Sequence, residues 1–310
     1  MNRAFIFPGQ GSQFVGMGKD FYDNFEIAKE TFQIVDETLS FKLSHIIFNG
    51  PSEELTLTIN TQPALMAVSM AIFNVIKQLT NKNISELCSY AAGHSLGEYT
   101  ALCAASSIDL VATTKLLAVR GRSMQEAYPV GKGAMAACIG IPLVKLEEIV
   151  KNVSPIGICQ IANDNIDGQL VVSGELGAVE MVIAIVKDLG FKAIKLNVSA
   201  PFHCSLMKPA ENQMADALNK TVINKPIIPV LQNVTARPAS DAGEIKQNLI
   251  LQVCGGVRWR ESLIELEKLG VEEIVEIGAG KVLTSMIRKT THKFNLVNIS
   301  NVAELEEYKF

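Results

Sequence analysis

Apolar positions along this chain follow two rhythms. Short apolar runs closed by glycine-rich or polar turns predict buried strands at 4–7, 88–92, 228–233 and 274–277. Longer stretches, apolar every third or fourth residue, predict helices at 20–38, 61–79, 98–105, 110–125, 205–220, 242–252 and 259–269. One more helix starts near Lys281, and Pro63 falls in the first turn of the 61–79 helix, where a missing N–H is harmless. Between 127 and 200 the pattern changes. Strand-like 133–141, 156–162, 169–173 and 191–198 alternate with helical 144–153 and 176–189, and the polar turn 163–168 separates the second strand from the third. That order is βαββαβ. It predicts a ferredoxin-like subdomain at 127–200, inserted into an α/β-hydrolase-like core with a parallel sheet built from 1–126 and 201–310. Residues 301–310 carry no readable role.

Composition agrees with this plan. A chain of 310 residues is long for one simple core, and 48% hydrophobic with 19% charged residues is ordinary for a well-buried globular protein. A formal charge of −4 gives no reason to expect nucleic-acid binding. The six cysteines form no C-x-x-C pair, which argues against a zinc ribbon or a thioredoxin motif. Free thiols suit a reducing compartment. The start of the chain lacks the apolar core of a signal peptide, and the run 64–76 is too short to span a bilayer. A cytoplasmic protein with no membrane association, no metal and no cofactor is expected.

The chemistry begins at Gly93-His94-Ser95-Leu96-Gly97, a G-x-S-x-G pattern with an apolar strand before it and a helix after it. A sharp strand-to-helix turn of this kind exposes the serine oxygen at a helix N-terminus, and flanking glycines let strand and helix pass closely. Backbone N–H groups there can stabilise an oxyanion. The serine needs a base, and the histidines are His45, His94, His203 and His292. His94 leaves the turn in another direction, which suits packing, and His45 and His292 lie in polar contexts. His203, in Ser199-Ala200-Pro201-Phe202-His203-Cys204, sits between a strand and a helix N-terminus, where catalytic groups often stand.

Six segments occur in a telling order: Pro8–Gln13, Gly93–Tyr99, Arg120-Gly121 with Met124-Gln125, Gly133–Met135, Pro201–Cys204 and Gly280–Leu283. Together, from Phe5 to about Leu283, the chain resembles the bacterial malonyl-CoA:acyl carrier protein transacylases and, more widely, the acyltransferase domains of fatty acid and polyketide synthases. The resemblance implies a ping-pong transfer of malonyl from malonyl-CoA to the phosphopantetheine thiol of acyl carrier protein, for fatty acid biosynthesis. It makes Ser95 the nucleophile and His203 the general base, oriented by a backbone carbonyl at Gln252. Gln10 and Leu96 would supply the oxyanion N–H groups. Arg120 would bind the malonyl carboxylate through two parallel hydrogen bonds. Asn163 and Asn165 would line the cleft from the subdomain. On residue type alone Arg120 reads as a surface arginine, as Arg122 does, and the two asparagines are equally turn residues. Phe202 resembles the malonyl-preferring members. A monomer is expected, with Lys192, Arg288 and Lys289 as contacts for the acidic carrier.

Two departures from the family pattern stand near the site. Cys254-Gly255-Gly256-Val257 lacks a usual proline, and Gly278-Ala279-Gly280 has alanine in place of one. Both should loosen the backbone there. Gly280-Lys281 is no phosphate loop, because Val275 and Val282 occupy the diagnostic glycine and hydroxyl positions. A serine hydrolase using the same turn, and a non-catalytic carrier-binding subunit, remain open alternatives. Arg120 and Gln252 weigh against the first, the Ser95–His203 pair against the second.

Overall fold

In the computed structural model, residues 2–198, 200–289 and 293–310 are described. Two sheets are present. The larger contains β1 (Arg3–Phe7) and β2 (Tyr90–Gly93), and the smaller is built from β3 (Gly133–Ile139), β4 (Cys159–Ile166), β5 (Gln169–Glu175) and β6 (Lys192–Lys195). The chain then returns to the larger sheet with β7 (Val230–Leu231), β8 (Pro238–Ala239), β9 (Glu273–Ile277) and β10 (Asn295–Ile299). The large sheet runs β10-β9-β1-β2-β7-β8, parallel except for β8, which folds back antiparallel on β7. The small sheet runs β4-β5-β3-β6 and is antiparallel throughout.

Side-chain alternation in β1 shows why the large sheet is buried on both faces. Phe5 and Phe7 join the core that contains the helix Thr58–Thr80, with the Phe5 and Phe73 rings 6.3 Å apart, edge to face. Ala4 and Ile6 point the other way, to a core under the helix Trp259–Lys268. A strand covered on both faces reads as a continuous apolar run, as 4–7 does. The small sheet has its own core from Ala134, Ala136, Cys138, Leu170 and Val172 beneath the helix Leu176–Asp188. Thr58–Thr80 is long and apolar enough to cross a membrane, but 83% of its most apolar window is buried inside the protein.

Several elements differ from the expected ones. The 20–38 helix is two, Lys19–Asn24 and Glu26–Leu39, because Phe25 adopts an extended conformation between them. Short helices at Leu43–Asn49, Ser52–Thr56 and Ile84–Leu87 fill stretches too short to show a period. β10 was hidden by Asn295 and Asn298, poor strand formers, and 301–310 contains the helix Val302–Glu307. The turn expected at 163–168 is confined to Asp167-Gly168. Asn163, Asp164 and Asn165 belong to β4, which bulges between Ile161 and Asn163 and again between Asp164 and Ile166. The polar groups of Asp164 and Asn165 bond to the large unit, which is why a polar run can continue a strand. Asp164 holds Arg260 through both carboxylate oxygens, at 3.0 and 2.7 Å, and its N–H donates to Val257 O at 2.9 Å. The Val257 N–H donates to Ala162 O at 2.8 Å in return.

Candidate active site

The carboxyl ends of the parallel strands converge. The Pro8-Gly9 turn follows β1, His94-Ser95 follows β2, Gln232-Asn233 follows β7 and Gly278 follows β9. Ser95 has a φ of 54°, in the left-handed region, and the helix Gly97–Ala104 starts two residues later. Only glycine fits beside it. A Cβ on Gly93 would lie 1.9 Å from the carbonyl carbon of Gly97, and one on Gly97 would lie 2.3 Å from Phe7 O. Asn233 staples the turn: its Oδ1 accepts from Ser95 N at 2.7 Å, and its Nδ2 donates to Gly93 O at 2.7 Å. The N–H groups of Gly97, Glu98 and Tyr99 are taken by the carbonyls of His94, Ser95 and Leu96, and the Leu96 N–H is not among the amides so used.

Ser95 Oγ lies 2.8 Å from His203 Nε2, and His203 Nδ1 lies 3.0 Å from both Gln252 O and Gly255 O. Carbonyls only accept, so Nδ1 carries the hydrogen and a neutral ring leaves its Nε2 lone pair facing the serine hydroxyl. The glycines at 255 and 256, expected to loosen this loop, leave both carbonyls in place on the imidazole. His203 is 4% exposed. Burial, aided by the nearby Arg120 cation, pushes its pKa down to about 3. An unfolded histidine takes up a proton below about pH 6.5 while the folded one does not, so acid drains stability from the folded state. In His203→Gln this loss disappears. Relative to the unsubstituted protein, the variant should gain about 1.4 kcal/mol per pH unit as the pH falls below 6.5. Urea unfolding at a series of pH values measures it, and parallel pH profiles for the two proteins would contradict the assignment.

Arg120, on the helix Leu110–Glu126, is 1% exposed. Its guanidinium donates to Gln62 Oε1 and Gln252 Oε1 at 2.9 Å each and to Ser95 Oγ at 3.2 Å. Among the described residues no carboxylate lies within ion-pair distance of it, and its Nε has no partner. A buried guanidinium whose hydrogen-bond partners are two neutral amides and a hydroxyl is primed for an anion. Arg122 is exposed on the same helix.

A cavity of about 120 Å³ opens over these groups, lined by Gln10, Gln62, Ser95, Arg120, Asn163, Phe202 and His203 among others. Ser95, His203, Arg120, Gln10 and Asn163 thus meet at one place. Leu96 is buried at the start of the helix and Gln252 stands behind His203. Asn165 does not line the cavity: its Oδ1 accepts from His94 Nε2 at 2.8 Å, and the His94 ring packs edge to face on Trp259. His45 is exposed and bonds to Asn49. Ser199 and His292 lie outside the described residues.

Gln62, Glu98 and Asn233 escaped the sequence reading. Glu98 left a signal, as a carboxylate opening an otherwise apolar helix. Gln62 left a weaker one, as an amide at the start of the buried run 61–76. Asn233 left none, because its role comes from a contact 138 residues away.

The sequence model of the acyl transferase domain family matches residues 4–308. A malonyl CoA-acyl carrier protein transacylase of Bacillus subtilis is 42% identical over 305 residues, covering 98% of this chain and 95% of that one. The crystal structure of an acyl-carrier-protein S-malonyltransferase from Bartonella henselae superimposes with a TM-score of 0.97 at 48% identity, covering 99% and 98%. A malonyl-transacylase solved in complex with its type II polyketide acyl-carrier protein gives a TM-score of 0.95 at 37% identity, covering 99% and 98%.

Proposed function

The chain belongs to the acyl transferase domain family, and from that membership we propose that it moves a malonyl group from coenzyme A to acyl carrier protein, for fatty acid synthesis, through an ester on Ser95. The observation that carries this reading is the 2.8 Å contact between Ser95 Oγ and a buried, neutral His203, with an anion-ready Arg120 beside it. Ser95 Oγ attacks the thioester carbon as His203 Nε2 takes the hydroxyl proton. The N–H groups of Gln10 and Leu96 receive the oxyanion. Collapse of the tetrahedral intermediate breaks the C–S bond, and the departing coenzyme A sulfur takes the proton from Nε2. The phosphopantetheine thiol then gives its proton to the same nitrogen, attacks the ester, and returns Ser95 to its hydroxyl. The Gln252 and Gly255 carbonyls hold the imidazole and share its charge while it is protonated, the work a buried carboxylate does in other serine enzymes.

Arg120 selects the acyl group by exchanging its Ser95 hydroxyl partner for the malonyl carboxylate, and Asn163 closes the cavity from the small sheet. Asn165 acts one step back, by fixing His94. The small unit, 127–200, is read as ferredoxin-like on its βαββαβ order, and the core, 1–126 and 201–310, as hydrolase-like on its parallel strands and serine turn. A monomeric, cytoplasmic enzyme fits a site completed within one chain and six free cysteines. The exposed Lys192, Arg288 and Lys289 are the proposed carrier contacts.

Intact-mass measurement after mixing with malonyl-CoA tests the reading. One malonyl group should appear, mapping to the peptide that contains Ser95, and none should appear on Ser95→Ala. Release of free malonate as fast as transfer to the carrier would instead make the protein a hydrolase.

A further inference from the structure

Gln252 is engaged at both ends. Its backbone oxygen accepts from His203, and its side chain, fully buried, lies between Glu98 and Arg120. Its Nε2 donates to Glu98 Oε2 at 2.8 Å and to Ser95 O at 3.0 Å, while its Oε1 accepts from Arg120 at 2.9 Å. A carboxamide is nearly symmetric in shape, and its neighbours decide which end faces which. Here they decide it twice over, because a guanidinium only donates and a carboxylate only accepts.

Glu98 is itself fully buried and does not line the cavity. Its Oε2 also accepts from Asn233 N at 2.9 Å, while its Oε1 has no partner among the described residues. Burial raises its pKa to about 7, opposed by the Asn233 N–H, the Gln252 amide and the Arg120 charge. Burying a carboxylate with half its acceptor capacity unused is expensive, and nothing in the acyl-transfer steps calls for it.

We propose that Glu98 is a positioning residue for acyl selection: by accepting from the Gln252 amide it locks that carboxamide with its oxygen on Arg120, and so holds the guanidinium beside Ser95. Without the carboxylate, the amide nitrogen keeps Ser95 O but loses its shortest bond, the side chain is free to swing, and the oxygen that anchors Arg120 no longer holds the guanidinium where a malonyl carboxylate arrives. The proposal rests on Arg120 being the malonyl-binding group.

The test compares single-turnover acylation of Ser95 from malonyl-CoA and from acetyl-CoA. In Glu98→Ala, malonyl acylation should fall about tenfold, through a raised KM, while acetyl acylation stays within about twofold of the unsubstituted enzyme. Glu98→Gln should restore the native ratio, since its amide oxygen can accept the same two bonds. Placed on Arg120→Ala, the Glu98→Ala change should cost malonyl acylation nothing further, as expected for two residues acting through one contact chain. Equal losses for both acyl groups, a Glu98→Gln variant as impaired as Glu98→Ala, or additive losses on Arg120→Ala would each overturn the proposal. If thermal unfolding shows that Glu98→Ala does not fold, Glu98→Asp takes its place. Its carboxylate, one methylene shorter, draws back from the Gln252 amide, so a selective malonyl loss supports the proposal and an equal loss overturns it. Failure of the unsubstituted protein to form any malonyl ester would sink the transferase reading itself, a separate result.

Discussion

Replacing His203 with alanine should slow formation of the malonyl-serine ester by about a thousandfold, the usual worth of a well-placed general base. The expectation follows from geometry. Among the described residues Ser95 Oγ has two polar neighbours, His203 Nε2 at 2.8 Å and Arg120 at 3.2 Å, and only the first can accept a proton. Without the imidazole, the hydroxyl must lose its proton to water in a cavity of about 120 Å³. The low pKa of His203 adds a second signature: the base stays neutral in mild acid, so native acylation should not lose half its rate near pH 6.5, where an ordinary histidine would protonate. Rapid-quench mass spectrometry follows the ester directly. A His203→Ala protein that acylates within about tenfold of the native rate would show that another group takes the proton.

Arg120→Ala carries the second large effect, and its sign depends on the acyl group. Truncating one partner of a buried, hydrogen-bonded charge pair costs about 3 kcal/mol, or roughly 150-fold in kcat/KM for malonyl-CoA. Acetyl-CoA offers no carboxylate, and for it the variant removes a buried cation that no substrate group would have matched. Acetyl transfer should therefore stay constant or rise. Competition between the two thioesters, read from the masses of the acyl-enzymes, gives the ratio in one experiment. Parallel losses for malonyl and acetyl would remove Arg120 from the role of selector.

The serine turn was legible because its chemistry is local. Gly93, Ser95 and Gly97 are two residues apart, and the backbone collisions that forbid larger side chains at 93 and 97 arise within the turn and its neighbouring strand. The βαββαβ order could be read because short apolar runs and longer helical periods alternate within the small unit itself. Harder to see was whatever depends on contacts across the fold. By residue type Arg120 read as a surface residue, since a sequence does not show that Gln62, 58 residues earlier, and Gln252, 132 residues later, close over it. Asn163–Asn165 read as a turn for a related reason. The side chains of Asp164 and Asn165 are answered by Arg260 and His94 from the other unit, and without those partners three polar residues in a row are poor strand formers.

The loop 253–258 has two edges. One presents the Gly255 carbonyl to the imidazole, just past that of Gln252, while the other is laced through Val257 to Ala162 and Asp164 of the small sheet. The backbone that joins the small sheet to the large one and the backbone that orients the imidazole are therefore one short stretch of chain, anchored on both sides.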